Sequence, residues 1–182
     1  GLAPSLIKTT SREVDEQYTA LFGKKTGTRC VRHLEHCLFF EENGIEWNLY
    51  LRECADGLAF RYDLPSSTPF KILKENTQIH CPTAAKVCTL PYTTWYEEAR
   101  IIDTAADLPR GAYGLPTLIY SDAEENYLIS ESDIDGSNCG AHLVWTDDCF
   151  TFTLADEQIS ADSHFTSPWR VLIVGSLTSI VE

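Results

Sequence analysis

Glu131, Asp133 and Asp135 stand at alternate positions just after an apolar run, Tyr127-Leu-Ile-Ser130. On a strand, alternate side chains share a face, so Tyr127, Ile129 and the three acids are expected to line up together. A carboxylate on a face that begins with two core-type residues needs compensation from a metal ion, an arginine or a water-lined cleft. The segment Glu131-Ser-Asp-Ile-Asp-Gly136 spaces its oxygen donors like the first half of a calcium-binding helix-loop-helix loop. That loop needs a bidentate acid at its twelfth position, which here is His142, and no helical periodicity flanks the segment. Spacing alone therefore leaves two readings: a site for a cation or partner, or a strand running out into a solvated turn.

Three further groups carry candidate chemistry. Cys30, His33, His36 and Cys37 bring both zinc-ligand types within eight residues. Strand alternation splits them across two faces, however, and no second ligand pair follows at finger spacing. The cysteines are therefore expected to be small buried apolar residues rather than zinc ligands. Tyr92, Trp95 and Tyr96 form an aromatic cluster that could stack on sugar rings, with Trp95 and Tyr96 as the substrate-binding candidates, or could plug one end of a core. Arg61 is either an exposed strand arginine or a forked donor to a carboxylate, and Trp169-Arg170 reads as a core tryptophan beside a structural ion pair.

The chain of 182 residues is long enough for one sizeable core, and 43% hydrophobic with 23% charged residues is the composition of a folded protein. A net charge of -13 argues against nucleic acid, whose phosphates demand a basic face. No apolar run approaches the roughly 20 residues of a membrane-spanning helix, and no signal-peptide pattern is present. The chain opens on Gly1 and contains no methionine, so it is expected to be a piece of a longer polypeptide. Seven cysteines leave at least one unpaired within the chain and are too sparse for a disulfide scaffold.

The elements that must position these groups are short strands. Residues 1–10 read as an irregular or strand-like lead-in, and 11–22 as a polar helix or packed loop with Val14, Tyr18, Leu21 and Phe22 as its apolar residues. Residues 30–40, 45–53 and 58–64 form a three-stranded meander, turned at Glu41-Glu-Asn-Gly44 and Asp56-Gly57. Further strands are expected over 70–73, 77–80, 115–120, 127–130, 142–145, 149–154 and 169–174, with an aromatic loop at 90–100 and another loop at 103–114. Many short strands punctuated by Gly and Pro describe an all-β sandwich over residues 1–182, as one domain.

Three runs resemble the N-terminal domain of glycoside hydrolase family 97. Leu51-Arg-Glu-Cys-Ala-Asp-Gly-Leu-Ala-Phe-Arg-Tyr62 is similar to its "R-x-x-x-D-G-x-A-F-R-Y" signature. Leu115-Pro-Thr-Leu118 with Tyr127-Leu-Ile-Ser-Glu-Ser-Asp-Ile134 resembles its "P-x-x … Y-x-x-I-x-E-A-x-L" segment, and Ser167-Pro-Trp-Arg-Val-Leu-Ile173 its "P-W-R-x-I" strand. The resemblance implies a galactose-mutarotase-like super-sandwich, present here without its first strands. It implies a place before a catalytic (β/α)8 barrel in the same polypeptide, a periplasmic or secreted α-glucosidase or α-galactosidase that uses calcium. It further implies that the catalytic carboxylates lie in the barrel, so that this chain alone is non-catalytic, and that Glu131 reaches the calcium beside the carbohydrate cleft. After the acid the chain has Asp135-Gly-Ser-Asn-Cys139, where the family often has a Tyr-Pro-Gly type sequence. A free-standing carbohydrate-binding sandwich is the alternative function.

Overall fold

The computed structural model describes residues 4–21, 27–93, 95, 97–121 and 126–181. In chain order its strands are β1 (Ser5–Ala20), β2 (Gly27–Glu42), β3 (Ile45–Cys54), β4 (Gly57–Pro65), β5 (Phe70–Ile72), β6 (Gln78–His80), β7 (Lys86–Thr89) and β8 (Ile101–Thr104). They continue as β9 (Gly111–Tyr113), β10 (Thr117–Tyr120), β11 (Asn126–Ser132), β12 (Ala141–Thr146), β13 (Cys149–Leu154), β14 (Ile159–Ala161), β15 (His164–Thr166) and β16 (Trp169–Gly175). A single helical turn, α1 (Leu177–Val181), follows.

One ten-stranded sheet runs β1-β2-β3-β4-β16-β11-β10-β7-β8, with β15 also paired to β4. A four-stranded sheet, β6-β13-β12-β9, packs against it, and β14 pairs with β5 in a small ribbon. The core lies between the two larger sheets. Val87, Ile119 and Ile129 from the large sheet meet Tyr113, Leu143, Trp145, Phe150 and Phe152 from the small one. The loop after β8 closes this layer: the Trp145 indole donates to the Leu108 carbonyl at 3.2 Å, and the Tyr113 hydroxyl to Pro109 O at 2.6 Å. Two antiparallel sheets stacked through alternate inward residues make the all-β sandwich expected from the strand pattern.

The meander is where the sequence places it, because Asn43 and Gly44 both take positive φ (54° and 78°), the turn that matches the twist of a tight hairpin. Other segments differ. Residues 11–20 form the greater part of strand β1, not a helix or loop, and β1 pairs with β2 from Ser5↔Glu41 to Ala20↔Gly27; Phe22 lies outside the described residues. The misleading signal is the four-residue step from Val14 to Tyr18, which fits a helical face and equally keeps both residues on one face of a strand. Cross-strand partners then decide: Glu35 accepts from Arg12 at 2.8 Å and Asp15 from Arg32 at 3.0 Å. The expected loop at 103–114 contains the end of β8 and all of β9, while β7, β14 and β15 lie in stretches too short to show a period.

The carboxylate row also needs correction. Tyr127, Ile129 and Glu131 do share the core-facing side of β11, but the strand ends at Ser132 and Asp133 adopts φ 65°. Asp133 and Asp135 therefore leave the face that Glu131 occupies.

Candidate functional site

The register of β11 against β16 sets Glu131 directly opposite Arg170. Directly opposite residues of an antiparallel pair project to the same side, so acid and base meet without a loop to guide them. Arg170 is only 1% exposed, and its guanidinium Nη1 donates to Glu131 Oε2 at 2.7 Å. The rest of the fork engages Glu75, in the segment between β5 and β6: Nε donates to Oε1 at 3.1 Å and Nη2 to Oε2 at 2.6 Å. Both carboxylates are 9% exposed. Below them the guanidinium lies 5.0 Å from the centre of the Phe152 ring.

Glu131 Oε1 accepts the Ala141 N–H at 3.2 Å. Its carboxylate also rests on Gly140, where a built Cβ would come within 2.5 Å of Oε1 and where φ is +75°. Only glycine combines that backbone with that close approach. Burial pushes the Glu131 carboxyl above its ordinary range. The Ala141 N–H and Arg170 work against that rise, and the nearby Glu75 charge adds to it. Two part-buried carboxylates thus share one buried guanidinium, and the cluster carries an excess negative charge whenever both are ionised.

Arg170 and Glu75 form part of the wall of an open cleft of about 410 Å³. Trp47, Tyr62 and Phe165 supply its aromatic lining, and Lys74 and Asn138 some of its polar groups. Aromatic faces beside a few hydrogen-bonding groups suit a ligand that is part apolar and part polar. Glu131 is not one of the lining residues and sits on the far side of the Arg170 fork.

On the neighbouring strands, the guanidinium groups of Arg52 and Arg61 stack on the Trp169 ring at 4.1 and 4.4 Å. Arg61 also donates from Nη1 to Asp133 Oδ2 at 3.2 Å, so of its two readings the carboxylate partner is the one found, through one arm of the fork. Arg52 and Arg12 clamp Glu35 from both sides. Trp169 is buried and Arg170 ion-paired, as the sequence suggested.

Tyr92 stacks on His142 with centroids 4.4 Å apart, so one of its faces is used inside the protein. Trp95 is 61% exposed, with its indole N–H donated to Glu98 at 3.3 Å. Tyr96 lies outside the described residues. The Cys30–Cys37 group is split as alternation requires: Cys37 is buried beside His33 and Glu35 on one face of β2, while Cys30 is exposed and His36 bonds Ser11 on the other. All seven cysteines are free thiols. Only Cys37 and Cys81 are buried, so the expectation of small buried residues fails for Cys30 and Cys139, which are exposed. Glu75 was missed because it falls in an unpatterned stretch between two short strands.

The family described as "Glycosyl-hydrolase 97 N-terminal" matches residues 1–182. The chain belongs to this family. A curated relative, a probable retaining alpha-galactosidase of Streptomyces bingchenggensis (strain BCW-1), is 30% identical over 174 residues, covering 94% of this chain and 27% of the relative. Among solved structures, a glycoside hydrolase family 97 enzyme in complex with acarbose, from Pseudoalteromonas sp. strain K8, superposes with a TM-score of 0.84 at 18% identity, over 94% of this chain and 28% of its own. A beta-arabinopyranosidase gives the same TM-score at 20% identity, over 94% of this chain and 32% of its own. At that identity the two structures establish the shared fold. This glycosyl-hydrolase 97 N-terminal domain therefore spans about a quarter to a third of the length of these relatives.

Proposed function

We propose that this domain is the non-catalytic sandwich of a calcium-dependent α-glycosidase of the α-glucosidase or α-galactosidase type, exported to the periplasm or cell exterior. It packs on a (β/α)8 barrel of the same polypeptide and lends Glu131 to a calcium site beside the substrate cleft. The observation that carries this reading is the charge count around the buried Arg170: two carboxylates, each 9% exposed, against one guanidinium.

The donor chemistry fits calcium as one ligand and no more. Calcium takes six to eight oxygens, carboxylates among them. Among the described residues each Glu131 oxygen accepts a single hydrogen bond, which leaves a second lone pair on each for a cation. Glu75 has both oxygens committed to the Arg170 fork, so the remaining ligands would come from the barrel. Bound there, calcium would supply positive charge at the edge of the active site. Arg170, Ala141 and Gly140 hold the Glu131 carboxylate in place, which spares a cation the entropy of ordering a free side chain.

Carbohydrate contact is the second part of the proposal. Trp95 presents an exposed ring whose orientation Glu98 helps to fix, and the Trp47–Tyr62–Phe165 cleft offers aromatic faces nearer to Glu75. Glu131→Gln in the full-length enzyme should lower calcium affinity and turnover together, whereas Asp135→Asn should change neither. Asp135 accepts from Ser137, its near neighbour in an exposed turn. Unchanged calcium dependence in the Glu131→Gln enzyme would leave Glu131 as a structural partner of Arg170 alone.

A further inference from the structure

A second constellation lies away from the Arg170 cluster, where β6 meets the β12–β13 turn. The pairing of β13 with β6 sets Cys149 directly opposite His80, so thiol and imidazole emerge on the same side of the ribbon. Asp148, the last residue of the turn before β13, adds a carboxylate. One ligand atom from each of His80, Asp148 and Cys149 can be chosen so that all three lie within 4.8 Å of one another.

The backbone behind them is fixed from three directions. The Cys81 N–H donates to the Asp148 carbonyl at 2.8 Å, and the Asp148 N–H bonds the Thr146 carbonyl across the turn. The Tyr127 hydroxyl donates to the His80 carbonyl at 2.9 Å. The preceding acid, Asp147, is bound by the Arg110 guanidinium and turned to a different task. His80 and Asp148 are exposed and Cys149 half-buried, so an ion could reach them from solvent.

We infer that His80, Asp148 and Cys149 form a zinc-class metal site with three protein ligands and one open position. A thiolate, an imidazole and a carboxylate together suit zinc better than calcium or magnesium, which take oxygen donors. Zinc bonds of about 2.0–2.3 Å at a tetrahedral centre separate the ligands by about 3.3–3.8 Å. Closing from 4.8 Å therefore needs a shift of about 1 Å, which χ rotation of the exposed His80 and Asp148 side chains can supply. Binding would release the Cys149 thiol proton to solvent as the sulfur becomes a thiolate. Water would take the fourth position. The site lies in residues for which finger spacing gives no signal, since its ligands come from positions 80, 148 and 149.

The test is a titration of the chelator-stripped protein with Zn²⁺ by calorimetry and with Co²⁺ by absorbance. The expected result is one equivalent of zinc, and a cobalt complex with a thiolate-to-metal charge-transfer band and the intense visible bands of tetrahedral coordination. Removing a direct ligand should cost at least as much as losing a supporting hydrogen bond, so His80→Ala and Cys149→Ser should each weaken zinc by at least about tenfold. Cys149→Ser should also abolish the charge-transfer band, while Cys139→Ser, at an exposed cysteine outside the cluster, should keep both. Circular dichroism confirms that each variant is folded. No zinc uptake, uptake unchanged in folded His80→Ala and Cys149→Ser, or an octahedral cobalt spectrum without a thiolate band would each overturn the assignment.

Discussion

Replacing Arg170 by methionine isolates the energetics of the buried cluster. The substitution keeps an apolar stem over Phe152 but removes three charge-assisted hydrogen bonds, at 3.1, 2.6 and 2.7 Å, from carboxylates that are each 9% exposed. Removing one partner of a buried ion pair costs about 3–5 kcal/mol, because the remaining charge has neither water nor counterion. Two stranded acids put Arg170→Met at the upper end of that range, unless one acid takes up a proton and relieves part of it. Against a domain stability of about 5–15 kcal/mol, such a loss is large. The assay is equilibrium denaturation in urea at neutral pH. The triple variant Glu75→Gln, Arg170→Met, Glu131→Gln carries no buried charge at the cluster and should recover most of the loss. A drop below about 1 kcal/mol for Arg170→Met, or a triple variant no better than the single one, would refute this electrostatic account.

Gly140→Ala should destabilise the domain by about 1–3 kcal/mol, because φ +75° strains any side chain and the new Cβ would press on Glu131 Oε1; thermal unfolding reads it directly. For acid stability, burial pushes Glu35 upward, but Arg52 and Arg12 outweigh it and hold the carboxyl low. Asn48, His164 and Thr166 likewise overcome burial at Asp63. Both groups have folded values below their unfolded ones, so their stabilisation is full above roughly pH 4 and is lost as pH falls through the folded values. The unfolding midpoint should fall steeply below about pH 4, and Glu35→Gln with Asp63→Asn should flatten that fall; an unchanged slope would contradict it. The chain alone should turn over no aryl α-glucoside or α-galactoside, since hydrolysis needs two carboxyl groups about 5–9.5 Å apart across the scissile bond and the proposed function puts that pair in the barrel. Sustained turnover by the contaminant-free chain would count against the non-catalytic assignment.

The parts of this fold that could be read from the chain are those in which local chemistry and tertiary context agree. Asn43-Gly44 demands a tight hairpin turn, and the meander follows from it. The run ending in Glu131 alternates because one side of β11 faces the core, and the alternation stops where the backbone turns at Asp133. Of strand β1 only the start, inside the strand-like lead-in of residues 1–10, was legible, because its single buried residue, Val14, leaves no period to detect further on. Its structure comes from the neighbouring strand, which offers it backbone partners along its whole length. The site divides in the same way. Glu131 and Arg170 lie in recognisable motifs, but their meeting depends on the register of β11 with β16. Glu75 and the His80–Cys149 pair have no signal in spacing at all, since each is brought into place by strands distant in sequence.

The most direct measurement is a crystal structure of the full-length enzyme grown with calcium, with the ion identified by its anomalous signal. The account predicts a Glu131 carboxylate oxygen about 2.3–2.6 Å from the calcium while Arg170 still bridges Glu131 and Glu75. A calcium coordinated entirely by other residues, with Glu131 bound only to Arg170 and the Ala141 N–H, would contradict it.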